Sequence, residues 1–148
     1  MSLAMSPVER EAFLAEVHVG VISVAEDGRA PLAVPIWYGY EPGAEVWVVT
    51  GERSRKANLL RSAQRFTLCV QTEAPPYKYA SIEGPIVSIA PADVERDLRP
   101  LAHRYLGRAL GDRYVNSAHG EDSEPVILVR MRPERWLTAD FAKEYGST

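Results

Sequence analysis

A chain of 148 residues, 46% apolar and 25% charged, is long enough for one domain with its own core and has an ordinary soluble composition. Its net charge of −3 argues against a general nucleic-acid binder, which requires a basic surface. No apolar run approaches the ~20 residues of a membrane span, the N-terminal MSLAMSPVER lacks a signal-peptide core, and the single cysteine excludes an intrachain disulfide, so a cytoplasmic chain is expected.

Residues 1–5 are expected to stand outside the folded domain, with Met5 a second candidate start. SPVEREAFLAE (6–16) predicts a helix: Ser6 caps it, Pro7 suits the first helical position and Glu9 completes a capping box. HVGVISVAE (18–26) reads as a strand ended by the Asp27-Gly28 turn. APLAVPIWYGY (30–40) alternates, with Leu32, Val34, Ile36, Tyr38 and Tyr40 on one face and Ala33, Pro35, Trp37 and Gly39 on the other. Pro35 cannot donate to a ladder and requires a sheet edge or bulge. Pro42-Gly43 turns the chain into EVWVVT (45–50), a third strand. A basic helix follows, then a strand, RFTLCVQT (65–72), in which Cys69 is expected to be a buried thiol. Beyond Pro75-Pro76, YKYASIEGPIVSIA (77–90) is a longer strand that Gly84-Pro85 should bulge or bend. PADVERDL (91–98) begins helical, Pro100 divides it from PLAHRYLG (100–107), Asp97 is the expected cap and Gly107 the stop. ALGDRYVNSAHGEDSE (109–124) reads as a short helix and an acidic loop, EPVILVRM (124–131) as a strand, and RWLTADF (135–141) as a short strand or extended tail.

The result is a β-rich α+β chain of six or seven strands in consecutive runs, which predicts an antiparallel meander closing toward a barrel. HVGVISVAE is apolar on both faces, with Val19 and Val21 opposing Ile22 and Val24. A small barrel has one inner face, so the outer one calls for helices or a second subunit, and a homodimer is expected.

Hydrolysis and the usual zinc sites have little support in the sequence, and the cation site that His119 with Glu121, Asp122 and Glu124 would offer is the weaker reading of that stretch. His18, His103 and His119 fit no zinc spacing, and no GxSxG, Walker loop or GxGxxG is present. Glu121, Asp122 and Glu124 read as a solvated acidic loop, and Asp93, Glu95 and Asp97 suit a helix N-terminus on dipole grounds. The segment that stands out is GERSRKANLL (51–60). Gly51 breaks the strand, Ser54 is a cap, and Ala57, Leu59, Leu60 and Ala63 form an apolar stripe. Arg53, Arg55 and Lys56 therefore sit at a helix N-terminus, where exposed cations each cost about 0.3–1 kcal/mol. A phosphate offsets that cost. With Arg61 and Arg65 nearby and only Glu52 opposing, this basic island in an acidic chain points to a small anion. An organic redox cofactor suits a chain poor in acid–base groups, because the cofactor carries the reaction.

The strand ending in VT, the glycine-containing loop, S-R-K and the helix continuing A-N-L resemble the flavin phosphate-binding segment of the pyridoxamine 5′-phosphate oxidase-like split β-barrel family. The order PIWYGY, VWVVTGERSRKANLL, FTLCVQ, YASIEGPIVSI, a helical excursion and a C-terminal strand with a tryptophan is similar over essentially the whole chain. The nearest flavour is the small actinobacterial flavin/deazaflavin oxidoreductase group. The resemblance implies a six- to seven-stranded antiparallel split β-barrel with short peripheral helices, dimeric, with cofactor sites at the subunit interface. It implies hydride transfer between bound FMN, or the deazaflavin coenzyme F-420, and a small-molecule substrate. A non-catalytic flavin- or haem-binding protein on the same barrel is the competing reading, with His18 and His103 available to haem. By position, Ser54, Arg55 and Lys56 match the phosphate ligands, Val34, Pro35, Ile36 and Trp37 the strand beside the isoalloxazine ring, and Val49 and Thr50 its neighbour. Gln71, with Ser81 or Glu83 as weaker matches, and Trp136 as a cover for the ring complete the set. For Trp37 and Trp136 a packing role is equally in view. The oxidase's basic, histidine-containing C-terminal motif has no counterpart in RWLTADFAKEYGST, which speaks against activity on pyridoxamine phosphate.

Overall fold

The computed structural model describes residues 2–120 and 123–145. Helix α1 (Pro7–Ala15) starts as the sequence predicts. Ser6 Oγ accepts from Glu9 N, and the Glu9 carboxylate accepts from Ser6 N at 2.8 Å, so two orphan donors are satisfied together. The helix buries Phe13 and Leu14 against the sheet core. Residues 3–5, expected outside the domain, instead run beside the last strand: Met5 is buried, Met5 N donates to Thr138 Oγ1 at 2.9 Å, and Asp140 N donates to Leu3 O at 2.8 Å.

Seven strands follow: β1 (Gly20–Val24), β2 (Leu32–Ile36), β3 (Val46–Gly51), β4 (Arg65–Gln71), β5 (Lys78–Pro91), β6 (Val126–Met131) and β7 (Arg135–Asp140). All pairings are antiparallel, in the order β2-β1-β4-β5-β6-β3, with β7 also on β5. This is a curled half-barrel, not a simple meander, because β3 leaves its sequence neighbours and pairs with β6. The long β5 makes that arrangement. Its first half pairs with β4 and β7; its second half turns away and pairs with β6. The turn uses Gly84, where an added Cβ would sit 1.8 Å from Arg132 O, and the register slips between Ile86 and Ser88. β2 is an edge strand, which is where Pro35 can be tolerated. The predicted 30–40 strand stops at Ile36, and the chain then touches β3 only through a bridge between Gly39 and Trp47.

The inward residues Ile22, Val24, Val46, Val48, Leu68, Val70, Ile82 and Met131 form the main core. Helix α2 (Arg55–Ala63) adds Ala57 and Leu60 to it, packing on β1, β3 and β4. Cys69 is exposed, contrary to expectation: Leu68 and Val70 face inward, and strand alternation turns residue 69 outward.

The helical excursion covers the outer side of β3. A π-helical turn (Val94–Leu98) runs straight into α3 (Arg99–Leu106), and α4 (Arg108–Ala118) follows. Pro100 lies in the first turn of α3 and does not divide the segment, since a missing N–H costs nothing there. The cap is Asp93, whose Oδ1 accepts from Arg96 N at 2.7 Å. Asp97 is buried and accepts from Asp93 N at 2.8 Å. Gly107 ends α3 at φ 79°. Leu98, Ala102 and Val115 make a second cluster, closed by Trp37, Val49 and Val94. The segment expected as a short helix is the 11-residue α4, while Glu121 and Asp122 of the acidic loop lie outside the described residues.

Candidate functional site

The turn from β3 into α2 is built by short-range chemistry. Ser54 stands at φ −70°, ψ 155°, accepts from Ala57 N at 3.0 Å and donates its hydroxyl to Gly51 O at 2.8 Å. The buried Thr50 brings Oγ1 to 3.3 Å from the same hydroxyl. The next two amides, Arg55 N and Lys56 N, find no acceptor among the described residues. The first turn of α2 also has no acidic residue. Free N–H groups and the positive end of the helix thus face outward together.

The cations around this turn differ in their commitments. The Arg55 guanidinium is ion-paired with Glu26, which arrives from the β1–β2 turn, but only one of its nitrogens is used. Arg61 reaches back to Glu52 O at 3.0 Å. Arg53 N donates to Glu124 Oε1 at 2.6 Å, and that carboxylate packs against Gly51. Lys56 is half-buried and has neither an ion pair nor a side-chain hydrogen bond among the described residues. Burial holds its pKa below the ordinary lysine range, because desolvation penalises the ammonium. Two open amides, one uncompensated ammonium and a guanidinium with spare donors make a donor set suited to a terminal phosphate.

Of the other sequence-predicted residues, only Thr50 shares this turn. Val49 points to the opposite face of β3 and packs under α3 and α4. Trp37 lies on the same helical cluster, stacked on Tyr105 with centroids 5.1 Å apart and planes at 5°, and tilted against Tyr114. Val34 packs on the main core and Ile36 is buried in it. Pro35 faces outward at the sheet edge, across from Val21. Gln71 is exposed at the end of β4, opposite Tyr79 of β5. Trp136 packs on the core and lines a separate cleft beside Arg10 and Tyr40. Sequence reading missed Glu26 and Glu124. Both are remote from the turn in the chain, and no local pattern signals that they fold onto it.

Among the described residues no cluster of His, Cys, Asp and Glu can hold a metal, and no helix is long and apolar enough to cross a membrane. His18 Nε2 lies 3.1 Å from Phe13 O and His103 Nε2 lies 2.6 Å from Asp112, so each imidazole is already engaged.

A family model described as pyridoxamine 5′-phosphate oxidase matches residues 7–140. The chain belongs to that family. No curated protein sequence matches it. Among solved structures, a conserved hypothetical protein of Mycobacterium tuberculosis superposes with a TM-score of 0.76 at 21% identity, over 99% of this chain and 91% of that one. A structure named as an F420 reductase gives 0.67 at 16% identity, over 86% and 94%. A FAD-binding protein of Mesorhizobium loti gives 0.63 at 19% identity, over 90% and 92%. At these identities the likeness is one of fold.

Proposed function

We propose that this member of the family is a flavin-dependent oxidoreductase that holds FMN by its phosphate at the N-terminus of α2. The observation carrying the reading is Lys56: a half-buried ammonium without a counter-charge among the described residues, beside two open helix amides. An isolated cation in that position is unfavourable, and a phosphoryl group offsets it. Lys56 supplies charge, the Arg55 and Lys56 amides direct the phosphate oxygens, and Arg55 adds a guanidinium once it shares or leaves Glu26. Ser54 and Thr50 keep the turn in shape through their mutual contact and the cap on Ala57 N. Bound flavin would supply the hydride chemistry; the chain binds it, orients it and excludes water.

The outer face of the barrel supports a dimer with the cofactor near the subunit boundary. Val19, Val21 and Leu137 are 57%, 42% and 65% exposed, more apolar surface than an isolated barrel needs to present. The substrate is a small molecule, and RWLTADFAKEYGST, without a counterpart of the oxidase's basic, histidine-containing motif, speaks against pyridoxamine phosphate. The structural likeness to an F420 reductase supports a deazaflavin version of the same cradle as the second reading.

The test is an absorbance spectrum and mass analysis of the small molecule that co-purifies, followed by titration of cofactor-free protein with FMN and with F-420. A bound flavin that is reduced and then reoxidised by an organic acceptor supports the enzyme. Saturable binding without turnover favours a storage or sensing protein, and no binding of either cofactor overturns the proposal.

A further inference from the structure

Away from the α2 turn, a cleft of about 1030 Å3 opens between α1, the 39–45 loop, the outer side of β3 and β6, and α3. Four arginines line it: Arg10, Arg104, Arg130 and Arg132. Five of the other arginines, Arg29, Arg55, Arg65, Arg96 and Arg99, pair with carboxylates, whereas none of these four forms an ion pair among the described residues. Glu11, Glu41 and Glu45 also border the cleft, and none of them is paired with a guanidinium among the described residues. The Glu11 carboxylate is occupied by Gly43 N at 3.1 Å.

Two of the arginines are incompletely satisfied. The Nε atoms of Arg10 and Arg104 are the buried side-chain polar atoms left without a hydrogen-bond partner among the described residues. Arg104 is anchored by Nη2 to Ala15 O at 2.9 Å and Glu16 O at 3.0 Å, neutral acceptors that leave its charge uncompensated. Arg10 stacks 4.7 Å above the Trp136 ring and has no side-chain hydrogen bond among the described residues. Buried donors without acceptors are rare in folded proteins and ask for an explanation. Flat apolar walls accompany the charge. Trp47 stands opposite Arg130 in the β3–β6 ladder, and Trp136 is fixed between Arg10 and Tyr40.

We propose that this cleft binds a small aromatic anion, with Arg130 and Arg132 receiving its phosphate or carboxylate and its ring lying against Trp47 and Trp136. The volume is that of an organic ligand, larger than a bare inorganic ion requires. Guanidinium forks match either anion, and a ring presents its face to both indoles and guanidinium planes. No residue of α2 lines this space, so the site is independent of the cofactor cradle.

The test uses the three indole N–H signals of the 15N-labelled full chain, titrated with phenyl phosphate, benzoate and inorganic phosphate at millimolar concentration. Phenyl phosphate or benzoate should shift Trp47 and Trp136 saturably and leave Trp37 in place, with the tighter of the two identifying the anion class. Inorganic phosphate alone should bind more weakly. Arg130→Ala with Arg132→Ala should raise the Kd by more than roughly tenfold, the loss expected for one charge-assisted hydrogen bond or more. Exposed Arg132→Glu alone should also weaken binding, which keeps the test open if the double variant folds poorly. Lys56→Ala should leave the Kd unchanged. Indoles that stay unmoved by both aromatic anions, binding unaltered by Arg132→Glu, or loss of binding in Lys56→Ala would each overturn the proposal.

Discussion

The indole of Trp47 lies directly over Gly39: a Cβ at residue 39 would come 2.0 Å from Trp47 Cε2. The two residues also exchange backbone hydrogen bonds, Gly39 N to Trp47 O at 2.9 Å and Trp47 N to Gly39 O at 3.0 Å. This pair brings the segment after the edge strand β2 onto β3, the strand at the other end of the sheet. Gly39→Ala should therefore destabilise the fold by about 1–3 kcal/mol, the range for overpacking a filled site. Urea unfolding measures it. The cost should fall when Trp47→Ala is present, because the three atoms nearest the added Cβ all belong to that ring; additive effects would refute the relationship.

At the cradle, Arg55→Ala combined with Lys56→Ala should weaken FMN binding by at least ~2 kcal/mol, since charge-assisted hydrogen bonds contribute about 1.5–3 kcal/mol each. The thermal midpoint should hardly move, because Ala57 and Leu60 carry the packing of α2. Glu26→Gln should act in the opposite direction by freeing Arg55 from its ion pair. Calorimetric titration of the three proteins decides the matter, and unchanged affinity in the double variant would sink the assignment.

The dimer proposal makes its own demand. Val21, Cys69, Ser81 and Leu137 form one row across β1, β4, β5 and β7 on the outer face. Val21→Asp places a charge at the β1 end of that row, where an interface would desolvate it. Light scattering should show a dimer for the parent chain and a monomer for the variant, with the far-UV circular dichroism retained. A monomeric parent chain removes the proposal.

Acid sensitivity should trace in part to the start of α1. The Glu9 carboxylate accepts from Ser6 N and from Lys143 Nζ, both at 2.8 Å, which holds its pKa at about 2, down from 4.5. A folded pKa below the unfolded one means the charged form favours the native state. The contribution is complete above about pH 4.5 and disappears as the pH falls toward 2. Glu9→Gln should lower the urea midpoint at neutral pH, and the gap between the two proteins should close across that acid window. A gap constant with pH would contradict the linkage.

Features written within a few residues of one another were readable in the chain. The Ser6–Glu9 capping box, the Ser54 cap that places Arg55 and Lys56 at the start of α2, and the Gly107 stop are all local hydrogen-bond or backbone arrangements. Pro35 announced an edge for the same reason, since a missing N–H is a local fact. Cys69 was within reach of the alternation rule, because Leu68 and Val70 on either side already claimed the inner face.

The sequence by itself determined the number of strands, the caps of α1 and α2, the family pattern and the placement of Arg55 and Lys56 at a helix start, because periodicity and capping act over three or four residues. Only the tertiary structure decided that β3 pairs with β6, that Glu26 and Glu124 fold onto the cradle, and that Trp136 joins Arg10 in a separate cleft. Those relationships join residues tens to more than a hundred positions apart. They arise from burying two faces of a bent sheet at once, and no short stretch of chain carries that constraint.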